Sequence, residues 1–385
     1  MKLGELCILF TDGDWIESKD QSDSGIRLIQ TGNIGNGEFL YKNDKAKYIS
    51  VDTFKRLNCK EVFPNDILVS RLPEPVGRGC IIPDIGEKMI TAVDCTICRI
   101  NENLVDRKYF CYFLESNAYK MQLEQHVTGT TRKRISRKNL SSVEIDIPEQ
   151  AKQKEVVYKL DRLKKIIQNY NRELDLLDEL VRARFVEMFG DPRINPMNFN
   201  KSELKDTCDI ITGNTPLRKN EEYYGNYIEW IKTDNIVVNK LNPTYAKESL
   251  SKEGMDVGRT VEKNCILMAC IAGSISSIGR VCVTDRKVAF NQQINAIVPK
   301  KYNCMFLYVL MQVSKDYLVD GINMALKGIL SKSRLEKKQF IVPPLELQNQ
   351  FASFVEEIDK SRSRIQKSLE ASQELFDSLM QEYFS

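Results

Sequence analysis

The chain has 385 residues, 42% of them hydrophobic and 28% charged, and its 56 basic and 53 acidic side chains leave a net charge of only +3. Such a composition is ordinary for a soluble globular protein, and the length suggests two or three domains. No apolar run is long enough for a membrane span and no leader follows Met1, so the expectation is a cytoplasmic protein with no membrane partner. The one histidine, His126, lies in a predicted helix end, and a His-dependent triad or a multi-histidine metal site is hard to build from it.

Residues 1–147 read as a mixed α/β domain. Cys7 to Phe10, Asp66 to Arg71, Gly79 to Ile82 and Ile90 to Ile100 are short apolar or β-branched runs bounded by turn residues, hence strands. Asp106 to Gln125 has helical spacing, with Phe110, Phe113, Leu114 and Met121 on one face and Asp106 as cap. A glycine-threonine loop and the basic run Arg132 to Lys138 follow, then Val143 to Ile147 as an alternating strand. Eleven cysteines in such a chain argue for reduced, buried thiols. The one CxxC, Cys95 to Cys98, has no second pair to complete a zinc site, and the repeat described below sets Gln292 and Asn295 near the corresponding places.

Residues 148–190 carry a long helix. Val156, Leu160, Leu163, Ile167, Tyr170, Leu174, Leu177, Val181 and Met188 alternate at four and three, the seam of a coiled coil, with Arg184 in the remaining slot. Gly190-Asp191-Pro192 ends it. Shifted by 195 positions, the seam returns as Phe351, Val355, Ile358, Arg362, Ile365, Leu369, Ser372, Phe376, Leu379 and Tyr383, and Gln153 returns as Gln348. Residues 343–385 are therefore a second copy of the helix.

The globular part is written twice as well. Ile29-Gln30-Thr31-Gly32-Asn33-Ile34 answers to Ile231-Lys232-Thr233-Asp234-Asn235-Ile236, and Gly77-Arg78-Gly79-Cys80 to Gly279-Arg280-Val281-Cys282. Residues 191–342 thus form a second mixed α/β domain. The expected fold is α+β: two similar domains separated by an antiparallel coiled coil of two long helices, with pseudo-twofold symmetry. Each helix would span on the order of 60 Å. Facing seam positions should place Leu163 by Phe376, Leu174 by Ile365, and Arg362 opposite Leu177, each polar slot costing stability.

No phosphate loop and no dinucleotide fingerprint occurs, and Asn195-Pro196-Met197-Asn198-Phe199 lacks the second proline of the adenine-holding Asn-Pro-Pro-aromatic motif, so it reads as a linker turn. The economical inference is a binding protein. Arginine, lysine, asparagine and glutamine pair with base edges, and serine, threonine and lysine hold phosphates. In the first domain the candidates are Gln30, Thr31, Ser70, Arg71, Arg78, Thr130, Thr131, Arg132, Lys133 and Arg134. Their counterparts in the second are Arg218, Lys219, Lys232, Thr233, Arg280, Asn291, Gln292, Gln293 and Lys327.

The helix entries Ile147-Pro148 and Val342-Pro343-Pro344-Leu345-Glu346-Leu347-Gln348 are two signatures. A third is the opening of the second domain, Gly213-Asn214-Thr215-Pro216 with Tyr223-Tyr224 and Ile228-Glu229-Trp230-Ile231-Lys232. Together with Asp66 to Arg71 and Asn291-Gln292-Gln293, they make the whole chain resemble the specificity subunit of type I restriction-modification systems. The first helix entry departs from the fuller Pro-Pro-Leu form, reading Pro148-Glu149-Gln150.

The resemblance implies two target-recognition domains on double-stranded DNA, one half-site each, with the gap set by the coil. It also implies no catalysis in this chain. Two methyltransferase subunits would bring S-adenosylmethionine, and in the full complex restriction subunits would bring ATP and magnesium; no cofactor is implied here. The competing reading is a non-catalytic coiled-coil scaffold whose two domains bind proteins rather than DNA.

Overall fold

The computed structural model describes residues 1–129, 132–238, 240–323 and 328–385. They form two compact units, Met1–Asn169 with Ser368–Ser385, and Tyr170–Lys367. Each unit takes in one globular domain and half of each long helix, where the sequence had suggested that the helices stand apart as segments of their own.

In the first unit the strands Cys7–Asp12, Cys95–Ile100, Ile67–Ser70 and Gly79–Ile81 lie side by side in that order, all antiparallel. A second, smaller sheet, of five strands but fewer residues, is built around Ile26–Ile29 and Met89–Thr91, which run parallel. The first sheet is covered on both sides. Ile97, Leu68 and Cys80 pack with Ile29 and Met89 of the smaller sheet, while Cys98, Ile67 and Val69 pack with helix residues. Successive strand side chains alternate faces, so Cys95 and Cys98, three apart, belong to different cores. They cannot clamp one metal. On the matching strand Ile294–Pro299 their places are held by Ile294 and Ile297, not by Gln292 and Asn295.

The helix expected over Asp106 to Gln125 is two, Arg107–Glu115 and Asn117–Glu124. Ser116 adopts extended dihedrals and its hydroxyl accepts from the Tyr119 N–H at 3.2 Å, ending one helix and capping the next. The break turns Met121 outward, 61% exposed, while Phe110, Phe113 and Leu114 stay buried as their spacing predicts. Of the strand expected over Val143 to Ile147 only a single bridge, Glu144 to Lys2, is made.

The second unit repeats the plan. Its strands Cys208–Thr212, Ile294–Pro299, Ile266–Ala269 and Val281–Val283 take the same order, and Tyr224–Ile231 runs parallel to Val288–Phe290 in the smaller sheet. Between helix and domain, Asn195 and Asn198 adopt positive φ, and the Asn195 side chain bonds both backbone groups of Phe199, so Asn195 to Phe199 is the expected turn.

The long helices are Gln150–Phe189 and Leu345–Phe384. Every seam position expected from the heptads is buried or half-buried. Within the first unit, Val156 and Leu160 share a core with Met380 and Phe384, and Lys159 Nζ reaches the Tyr383 hydroxyl at 3.3 Å. Within the second, Phe185 and Phe189 pack against Phe351 at 5.5 and 5.6 Å between ring centres. In each unit the start of one helix meets the end of the other, so the two segments are antiparallel. Arg362 donates to Asp178 at 2.5 Å, next to the expected Leu177, and the bond offsets the expected cost of a charge in the seam.

Two buried glutamines join helix to domain. Gln153 accepts from the Asp106 N–H at 2.7 Å and donates to Pro148 O at 2.8 Å; Gln348 accepts from Asn303 N–H at 2.9 Å and donates to Pro343 O at 2.8 Å. Asp106 and Asn303 are the N-caps of the matching helices Arg107–Glu115 and Cys304–Val313. The same amide thus ties the same two helix starts in both copies.

Candidate nucleic-acid interface

Strand Ile26–Ile29 ends in a tight turn, Thr31–Asn33, and Tyr224–Ile231 ends in its copy, Thr233–Asn235. The Asn33 carboxamide accepts from Gln30 N–H and donates to Leu40 O; Asn235 accepts from Lys232 N–H and donates to Tyr245 O. These buried asparagines fix the turns, so Gln30 and Thr31, like Lys232 and Thr233, are presented on rigid backbone.

Beside the first turn lies Arg78, whose Nη2 approaches Thr31 O at 3.4 Å. It opens onto a cavity of about 740 Å³ whose lining includes Glu74, Lys120, Gly129 and Lys133. Thr128 and Arg134 exchange backbone hydrogen bonds of 2.9 Å, closing the basic loop into a hairpin. Arg132, Lys133 and Arg134 are exposed on it. Lys133 pairs with Glu74 at 2.9 Å, and that bond raises the lysine above its ordinary range. The structure therefore brings Gln30, Thr31, Arg78 and the basic loop to one region of the first domain. Thr130 and Thr131 lie outside the described residues, as does Lys327 in the second domain.

In the second domain Arg280, Thr233 and Gln293 line one cavity of about 270 Å³. Nearby in the chain, Arg218 and Lys232 converge on Glu248 at 2.9 and 2.8 Å and lie over the Trp230 ring at 4.9 and 5.0 Å. The hydrogen bond from Lys232 holds the Glu248 carboxyl below its usual range. Lys219 is exposed beside Arg218, and exposed Gln292 accepts from the Thr215 hydroxyl. Cations, amides and hydroxyls on ordered backbone are what reading a base edge or holding a phosphate requires.

Three expected residues are corrected. Ser70 is fully buried, its hydroxyl donating to Leu72 O at 2.7 Å. Arg71 is 9% exposed and donates to Val93 O and Ile135 O at 2.6 and 3.2 Å, with Asp12 at 3.3 Å. Asn291 is 6% exposed and closes a turn by accepting from Gln293 N–H at 3.1 Å. The apolar run Ile67-Leu68-Val69 is buried on both faces and carries the next two residues in with it. Glu248 and Lys120 carry no signal in the sequence, and Trp230 stands there as part of a motif and not as a site residue. Asn33 and Asn235 do carry one, since they recur inside the matched segments.

The chain matches the model of the type I restriction modification DNA specificity domain twice, over residues 1–178 and 196–373. It is 31% identical over 158 residues to the type I restriction enzyme HindI specificity subunit of Haemophilus influenzae, a match covering 40% of this chain and 33% of that protein. It is 21% identical over 383 residues to the putative type I restriction enzyme MjaX specificity subunit of Methanocaldococcus jannaschii, covering 90% of this chain and 82% of that one. Among solved structures, the type I restriction-modification S subunit from M. genitalium superposes with a TM-score of 0.59 at 13% identity, covering 100% of this chain and 95% of that chain. A chain from a structural study of type I R-M complex assembly and conformational transition gives 0.59 at 15% identity, covering 100% and 96%.

Proposed function

Because this chain belongs to the type I restriction-modification DNA specificity family, we propose that it reads a bipartite sequence in double-stranded DNA, one half-site per domain, with the gap set by the length of its two helices. The observation that carries this is the duplication itself. The same turn and the same hairpin arginine are built twice, on one fold, with different basic and amide side chains around them. Two similar but non-identical readers suit a target with two unlike halves.

Recognition, not catalysis, is the part this family plays. Methyl transfer from S-adenosylmethionine, and ATP- and magnesium-dependent restriction where such subunits are present, fall to partners, two of them methyltransferases docked on this chain. Eleven unbridged cysteines suit a reducing compartment, and we place the chain in the cytoplasm. Among the described residues no helix is long and apolar enough to cross a membrane.

The test is duplex binding by the full chain, followed by fluorescence anisotropy over a salt series and by selection from a randomised duplex library. The logarithm of affinity should fall linearly with the logarithm of salt, and selection should return two short conserved blocks with a fixed gap. Binding that ignores salt, or one uninterrupted block, would sink the proposal.

A further inference from the structure

Arg78 and Arg280 occupy one place in two copies of one fold. Each follows a glycine of positive φ, Gly77 at 86° and Gly279 at 75°, in a hairpin between paired strands. The carbonyl of Arg78 accepts from Ser70 N–H at 2.7 Å, and that of Arg280 from Ala269 N–H at 2.9 Å. Each lies by the matching threonine, Thr31 at 3.4 Å in the first domain and Thr233 across the cavity in the second. In both, the guanidinium is half-buried and its Nε, sealed from solvent, has no hydrogen-bond partner among the described residues. Neither forms an ion pair there. Among the described residues the one acceptor that either guanidinium meets is Thr31 O, at a long 3.4 Å from Arg78 Nη2, so a costly setting is built twice with each Nε left uncompensated.

The neighbouring positions behave differently. Cys270 N–H donates to Gln293 O at 2.8 Å and Arg71 N–H donates to Asp94 O at 2.8 Å, the same bond in each copy. Gln293 therefore stands where the first domain has Asp94, and Gln292 where it has Val93. An amide that both donates and accepts is replaced by a carboxylate that only accepts, and a second amide by an aliphatic side chain.

Domains reading different half-sites share one feature of their target, the phosphate backbone. Phosphate contacts fix position and carry no sequence information, whereas base-edge contacts specify. From this, and resting on the DNA-reading assignment above, we infer that Arg78 and Arg280 are backbone clamps, each holding a DNA phosphate beside its threonine turn. Specificity then lies with side chains that differ between copies, Gln292 and Gln293 in the second domain and Arg132 and Arg134 in the first. A carboxylate, Glu74 in the first domain and Asp234 in the second, also lines each cavity.

The test compares the full chain with Arg78→Ala and Arg280→Ala on two duplexes of equal length, the selected site and a scrambled sequence. Each variant should weaken both duplexes by one common factor, about 3–10-fold at fixed salt, and make the salt slope shallower by about 0.9. The selected sequence should not change. Arg78→Lys and Arg280→Lys, which keep the charge and the hairpin, should bind nearly as the parent does, because a point charge satisfies a phosphate but not the bidentate geometry of a guanine. Alanine variants with parental affinity and slope would overturn the inference, as would lysine variants that lose one half-site. If the parent chain shows no salt-dependent duplex binding, the DNA-reading assignment fails and takes the clamps with it; if the parent binds and only the variants misbehave, the clamps alone fail.

Discussion

Arg71 and Arg132 show what residue type can and cannot reveal. Both are arginines beside hydroxyl residues, and by type alone both suit DNA. Arg71 instead spans the domain interior, holding Val93 O, Ile135 O and the Asp12 carboxylate, and so anchors the strand end to the base of the basic hairpin. Removing it leaves the half-buried Asp12 carboxylate with the Thr96 hydroxyl at 3.0 Å but without its cation, and deprives two carbonyls of their donor. Arg71→Ala should lower stability by about 1–3 kcal/mol, seen as a lower urea midpoint. Arg132→Ala, on an exposed hairpin, should leave that midpoint within about 0.5 kcal/mol and weaken binding to the selected duplex by roughly 1–3 kcal/mol. Equal midpoints for the two variants would reverse these roles. The cue for Arg71 was present in the unbroken apolar run before it, which marks a strand covered on both faces; a surface list built on charge passes over that cue.

Elements were legible where a period or a repeat declared them. The heptads located both long helices and their buried faces, because 3.5-residue spacing held over many turns suits few structures besides a coiled coil. The helix from Asp106 was less legible, since its apolar spacing continues through Ser116 although the backbone does not, and a serine can be either an interior residue or a cap. The smaller sheets went unseen because Tyr48–Ile49 and Glu61–Val62 are two-residue strands, too short for alternation to register. The paired glutamines give this scale its prediction. Gln153→Ala leaves the Asp106 N–H and two carbonyls without partners in a buried place, so it should cost about 1–3 kcal/mol, and Gln348→Ala should cost the same in the second domain. Gln150→Ala, whose exposed amide reaches Glu102 O and Asn103 O at 3.0 Å, should fall within about 0.5 kcal/mol of the parent. Hydrogen exchange should report where the loss falls: faster at Lys108 and Tyr109 for Gln153→Ala, and at Met305 and Phe306 for Gln348→Ala. Exchange spreading evenly over both domains would mean that the glutamines are not local ties.

At the level of the molecule, the boundary that matters is one that heptads cannot mark. The seam runs unbroken from Val156 to Met188, yet the compact units divide it between Asn169 and Tyr170, and divide the second helix between Lys367 and Ser368. Each domain therefore owns the halves packed on it, Val156 and Leu160 with Phe384 in one, Phe185 and Phe189 with Phe351 in the other. A change in helix length should spare both domains only when it falls at those two junctions and is made in both helices together. Inserting one heptad after Asn169 and one after Lys367 keeps the seam in phase and adds about 10 Å at 1.5 Å per residue, about three base pairs at 3.4 Å each. Selection from the randomised library should then return the parent's two half-sites with a longer gap. The same heptad placed in the first helix alone displaces one half-helix against its partner, and should lower stability without defining a new gap. Should the double insertion change the bases selected, or leave the gap as it was, the spacing would not reside in the helices.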